Sequence, residues 1–210
     1  MSGTLRRKDH KHVLIFDYIS KKVYKPAVEN TMNPEIVVAK TGFKLKTGNN
    51  VPWATKMNIL SSNPNYIDFV TDMARIQAEK GHKVLVVSDR VEFLEKCTEI
   101  LDNSVLIIGT TKNRKELLNE VKSGEKEIIN GSISIFKEGL SENHLSCLIL
   151  ANPISNSPLL EQLVGRIMRE EEGKLTPIVV DIALDCYTGR TQLQVRENFY
   201  FTSGYKVTYI

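Results

Sequence analysis

From residue 63 onward, short apolar runs alternate with stretches in which apolar residues recur every three or four positions. Asn63-Pro64 has the form of a helix start, a capping side chain followed by proline in the first turn. Tyr66, Phe69, Val70, Met73 and Ala74 then share one helical face, and Gly81 ends the helix. Residues 84–87 form a continuous apolar run, as expected of a strand buried on both faces. A second helix follows, with Val91, Leu94, Thr98 and Leu101 on one side. Residues 105–108 read as a strand stopped by Gly109, and 111–122 as a helix with Leu117, Leu118 and Val121 inward. Ile128-Ile129 opens a third strand and 147–150 is a fourth. A helix over 157–169 turns Leu159, Leu160, Leu163, Val164 and Ile167 inward, and 177–182 is a fifth strand. This strand–helix rhythm predicts an α/β fold, a mostly parallel sheet with helices on both faces. Ligands of such sheets bind at the carboxyl ends of the strands, so the loops there are the ones to search.

Residues 1–56 lack that rhythm. A strand or hairpin around Gly42 is expected within 35–45, then a turn-rich stretch at 46–50. The segment reads as a remnant plus linker. The tail over 188–210 predicts one helix or strand and a last strand at its end, with Phe199, Tyr200, Phe201 and Tyr205 covering the core.

Composition narrows the class. The chain has 210 residues, 41% hydrophobic and 25% charged, the balance of a folded globular chain and not of a disordered or disulfide-scaffold one. No stretch has the roughly 18–20 uncharged apolar residues of a membrane helix. No secretory signal is visible, and Cys97, Cys147 and Cys186 are far apart, so a cytoplasmic location with reduced thiols is expected. His10, His12, His82 and His144 lack metal-ligand spacing. Residues 1–56 carry eleven Lys/Arg against four Asp/Glu, and the rest seventeen against twenty-one. A basic start on an acidic body suggests a polyanionic partner, with Arg6, Arg7, Lys8 and Lys11 at its head.

The candidate chemistry is densest in QLVGRIMR. On a helix Gln162, Arg166 and Arg169 project from one face, and Gly165 admits another backbone close to it. Two guanidiniums and an amide make a site for a highly charged anion. A solvated face pairing with Glu161, Glu170 and Glu171 is the alternative.

QLVGRIMR resembles motif VI, QxxGRxxR, of superfamily 2 helicases, and its surroundings match in order. The stretch IINGSISIFKEGLSENHLSCLIL is similar to motif V, VLVVSDRVEFLEKC to motif IV, and VLIIGTTKNRKELL to the strand and helix that follow it. Ser2-Gly3-Thr4 resembles motif III. Within the superfamily the likeness is greatest to phage UvsW-like DNA helicases.

The resemblance implies a RecA-like second motor domain at 57–187, an extension at 188–210, and the end of a first motor domain plus linker at 1–56. It implies that Arg166 and Arg169 reach the ATP γ-phosphate, that Gln162 contacts phosphate and couples the lobes, and that Gly139 lies near the nucleotide. Ser88 and Arg90, Gly109 and Thr110, and Ser132 would contact the nucleic-acid backbone from three loops. Ser2, Gly3 and Thr4 would couple the domains. Ser141 stands where many members have Asp, and Asn143 where the turn carries proline. No GxxxxGKS or GxxxxGKT loop and no DExx box occurs in the sequence. The resemblance assigns those, with ATP and Mg2+ binding, to a partner domain. DNA, single-stranded or branched, is the expected substrate, in a host cytoplasm if the chain is phage-encoded. A non-catalytic nucleic-acid-binding module with the same fold is the alternative.

Overall fold

The computed structural model describes residues 31–43, 45, 51–137, 142–155 and 157–210. Seven strands form one sheet in which every pairing is parallel. In chain order the elements are β1 (Glu35–Lys40), α1 (Trp53–Ser61), α2 (Pro64–Glu79), β2 (Val84–Ser88), α3 (Val91–Ile100), β3 (Ser104–Ile107) and α4 (Arg114–Ser123). Then come β4 (Ile128–Ser132), α5 (Ile133–Lys137), β5 (Cys147–Leu150), α6 (Ser157–Ile167), β6 (Ile178–Ala183), α7 (Tyr187–Thr202) and β7 (Lys206–Tyr209). The strand order is β3-β4-β2-β5-β6-β1-β7. Because the strands are parallel, the loops after them gather along one edge.

Two apolar layers sandwich the sheet. α1, α2 and α3 cover one face with Met57, Leu60, Tyr66, Val70, Phe93 and Leu94. α4 to α7 cover the other, led by Leu163, Val164, Ile167 and Tyr200. Each such fully buried side chain contributes about 1.5–3 kcal/mol relative to exposure. The expected cap of α2 is present: Asn63 Oδ1 accepts from Asn65 N at 3.0 Å.

Several elements differ from expectation. β1 comes from the segment read as remnant and linker, yet it lies inside the sheet between β6 and β7. β4 runs beyond Ile128-Ile129 through Asn130, Gly131 and Ser132, all buried. The Asn130 amide tolerates this because it donates to Thr98 Oγ1 (3.0 Å) and Ser104 Oγ (3.2 Å). α4 starts at Arg114, since the turn before it is held by Thr111 Oγ1, which accepts from Ile108 N at 2.9 Å. Val91 is exposed, and Phe93, Leu94 and Cys97 carry the inner face of α3. Phe199, Tyr200 and Tyr205 pack on the core as expected, whereas Phe201 is exposed.

A buried ionic cluster pins α7 to the sheet. Arg196 Nε lies 2.7 Å from Asp181 Oδ2 on β6, and Tyr200 Oη donates to the same oxygen at 2.9 Å. All three residues are fully buried. Burial works against the Arg196 charge, and the Asp181 carboxylate outweighs it, leaving the arginine pKa raised. Gly189 opens the way for this docking: a Cβ there would stand 2.7 Å from Leu184 O.

Candidate nucleotide and nucleic-acid site

Three neighbouring strands, β3, β4 and β2, deliver the loops expected to hold a phosphate backbone. Ser88 and Ser132 are register partners at the ends of β2 and β4. The Ser88 hydroxyl is fully buried, donates to Asn152 Oδ1 and accepts from Arg90 N at 3.0 Å. It therefore ties the loop after β2 to the loop after β5. Asn152 Nδ2 reaches Met57 Sδ at 3.7 Å, which adds α1 to the same knot. Arg90 stands 3.7 Å from Asp89 and 3.5 Å from Ala54 O, with about a quarter of its side chain exposed.

Ser132 is buried beside Ser134, with 3.0 Å between the hydroxyls. Gly109 and Thr110 are exposed in the turn after β3. Arg114 braces that turn by donating to Gly109 O at 2.9 Å. The structure thus gathers the five positions along one end of the sheet, with the Ser88 hydroxyl buried, Ser132 buried beside Ser134, and Gly109 and Thr110 exposed.

The arginine site is built on α6. Leu160, Leu163, Val164 and Ile167 fall inward at helical spacing, which leaves Gln162 exposed and Arg166 half-buried. The expectation that Arg169 shares the helical face needs correction. α6 ends at Ile167, and Arg169 forms an antiparallel bridge with Thr31. Met32 N donates to Met168 O at 2.8 Å, so strand-like pairing takes over where the helix stops. Glu170, Glu171 and Glu172 consequently lie past the helix and not on its end. Arg169 still acts on Arg166: burial first, then the Arg169 charge, lowers the Arg166 pKa. Guanidiniums stay protonated in proteins, so burial and a neighbouring cation shift the Arg166 pKa without removing its charge. A Cβ on Gly165 would meet nothing within 4 Å, so among the described residues no backbone makes the close approach expected there.

Across from Arg169 lies the loop before β5. Arg169 Nη1 donates to Asn143 Oδ1 at 3.4 Å. His144 Nδ1 stands 3.4 Å from Glu142 Oε2. Burial lowers the His144 pKa and raises that of Glu142. Gly139 and Ser141, and Ser2, Gly3 and Thr4, lie outside the described residues. Among the described residues no group of three His, Cys, Asp or Glu could hold a metal ion, and no helix is long and apolar enough to cross a membrane.

Sequence reasoning missed Asn152 and Lys174. Asn152 carried a faint signal, an amide directly after an apolar strand. Lys174 carried none, because its contact with Asn143 is 31 residues away in the chain and its contact with Arg169 depends on the turn between them.

The parallel sheet flanked by helices has the architecture of RecA-like helicase C-terminal domains. The helicase conserved C-terminal domain family matches residues 65–171, half of the chain, and the chain belongs to that family. It is 38% identical over 212 residues to a probable helicase of Escherichia phage T5, covering 98% of this chain and 47% of that protein. It is 31% identical over 133 residues to a mimivirus protein provisionally named an ATP-dependent RNA helicase, covering 61% of this chain and 25% of that one. The chain therefore spans less than half the length of these relatives. In fold it is similar to T4 UvsW, with TM-score 0.65 at 13% identity over 89% of this chain and 42% of that one. It is similar also to the C-terminal domain of the DEAD-box protein Dbp5, with TM-score 0.58 at 8% identity, covering 86% of this chain and 91% of that one.

Proposed function

We propose that the chain is the second RecA-like lobe of an ATP-driven DNA helicase, working with a first lobe that carries the phosphate-binding loop. The observation that carries this reading is the placement of Gln162 and Arg166 on the outer side of α6, with Arg169 just past its end against the loop before β5. Their donor set suits the triphosphate of ATP, whose hydrolysis supplies the free energy of the motor. In this reading Arg166 and Arg169 stabilise charge on the transferring phosphoryl group, and Gln162 contacts the same phosphate and relays its presence between lobes. Gly139 lies against the nucleotide, and Ser2, Gly3 and Thr4 couple the lobes. Mg2+ falls to carboxylates of the first lobe.

The DNA strand runs past the ends of β3, β4 and β2. Thr110 and the Gly109 backbone meet phosphate there, and Arg90 supplies charge. Ser132 adds a backbone contact, while Ser88 acts by holding its loop in place. Such contacts grip the backbone without reading bases. The body of the lobe spans 57–187, β1 and the 188–210 extension add outer strands, and the stretch before β1 links to the first lobe. The resemblance to phage UvsW-like enzymes favours branched DNA and a host cytoplasm.

The second reading is a nucleic-acid-binding module with the same fold and no engine. One experiment separates the two. ATP hydrolysis is measured with and without single-stranded DNA or RNA, for the chain alone and mixed with a separately produced first lobe. Hydrolysis only in the mixture, stimulated by DNA and lost in Arg166→Ala, supports the motor. Salt-dependent nucleic-acid binding with no hydrolysis supports the module.

A further inference from the structure

The turn after α6 holds a lysine that neither the fold nor the proposed chemistry uses. Gly173, at φ 76°, and the bond from Lys174 N to Glu171 O (3.1 Å) close a turn that brings the Lys174 side chain back to the end of α6. Its ammonium donates to Asn143 O and to Arg169 O, at 2.6 Å in each case. Asn143 lies in the loop before β5 and Arg169 follows α6, so one cation joins two segments that flank the arginine site. The Asn143 side chain accepts from Arg169 Nη1 (3.4 Å), which makes the join two-sided. An ammonium has three donors and no acceptor, and carbonyls at a helix C-terminal end attract cations.

We propose that Lys174 is a positioning residue of the arginine site: by bonding Asn143 O and Arg169 O it sets where the Arg169 backbone stands against the loop before β5. The catalytic consequence rests on the motor reading above; the link itself does not.

The energetics favour a geometric use. Burial lowers the Lys174 pKa to about 8; Glu171 pulls it up and Arg169 pushes it down. A lysine lowered in the folded state binds fewer protons there than when unfolded, between about 8 and its ordinary 10.5. Stability therefore rises with pH across that window, and below it the charge is held at a cost to folding. The other charged groups of the cluster are Glu142, His144, Lys122 and Lys83, which act on one another through Glu142 and His144.

The test uses the full chain, labelled with nitrogen-15. The peptide groups whose carbonyls accept from Lys174 have His144 and Glu170 as their N–H residues. Both amide signals should move together with a midpoint of about 8. That step should vanish in Lys174→Met and in Lys174→Arg, with Lys174→Arg keeping the low-pH positions. His144 titrates below its ordinary 6.5, so its own step is separate. The absence of a titration step shared by the two amides, or the same step in Lys174→Met, overturns the link.

The second arm is the two-lobe mixture. Lys174→Met should lower kcat several-fold with little change in KM for ATP, and Lys174→Arg should restore most of it. An unchanged kcat in Lys174→Met whose amide step is lost overturns the positioning role. A natural mixture without hydrolysis overturns the motor reading instead, and the amide shifts still decide the link.

Discussion

The molecule treats its arginines in two opposite ways. Arg196 is fully buried, bonded at 2.7 Å to Asp181, and shares that carboxylate with Tyr200. Arg166, half-buried on α6, and Arg169, exposed just past its end, lie where the chain meets solvent. A guanidinium paired inside a core fixes architecture, because removing its partner strands a charge in a poor solvent. Guanidiniums placed where the chain meets solvent leave the core to other groups, and the motor reading proposed above assigns them to an anion.

The contrast can be broken most decisively at Arg166. Arg166→Ala should reduce ATP hydrolysis of the two-lobe mixture by about a thousandfold or more. Its unfolding free energy should stay within about 0.5 kcal/mol of the natural chain. An equal loss of stability would put Arg166 in the architectural class.

Asp181→Ala is the mirror experiment. It strands Arg196 and should cost about 3–5 kcal/mol in urea unfolding of the chain alone. A loss under about 1 kcal/mol would mean that apolar packing alone seats α7. Gly189→Ala tests the same docking from the backbone side. The crowding at Leu184 O should cost roughly 1–3 kcal/mol, read as a lowered thermal midpoint.

Two smaller effects sharpen the surface side. The natural chain should gain stability relative to Lys174→Met as pH rises from about 8 towards 10.5, seen as a pH-dependent difference in unfolding free energy. Gly165→Ala should stabilise the chain by roughly 0.5–1 kcal/mol, because a helical alanine there meets nothing. If that variant also loses hydrolysis in the mixture, the first lobe approaches the face that this chain leaves open.

Much of the fold was legible because strands buried on both faces are written as continuous apolar runs. The run 147–150 coincides with β5, and the cap at Asn63 is where the sequence put it. β4 was legible only at its apolar start, since Asn130 and Ser132 look like loop residues until their partners are seen. The arginine helix was legible from QLVGRIMR, but its end was not. The bridge from Arg169 to Thr31 joins residues far apart in the chain. For the same reason the Ser88–Asn152 knot and the Lys174–Asn143 bond left no local trace.

By itself the sequence determined the alternation of strands and helices and the apolar faces, because each is a matter of spacing along a few turns. Only the tertiary structure decided that β1 enters the sheet, that Ser88 turns inward, and that one arginine is sealed against Asp181 while two others share a surface. Those outcomes depend on partners brought together by folding, and burial and charge pairing act through space without regard to chain order.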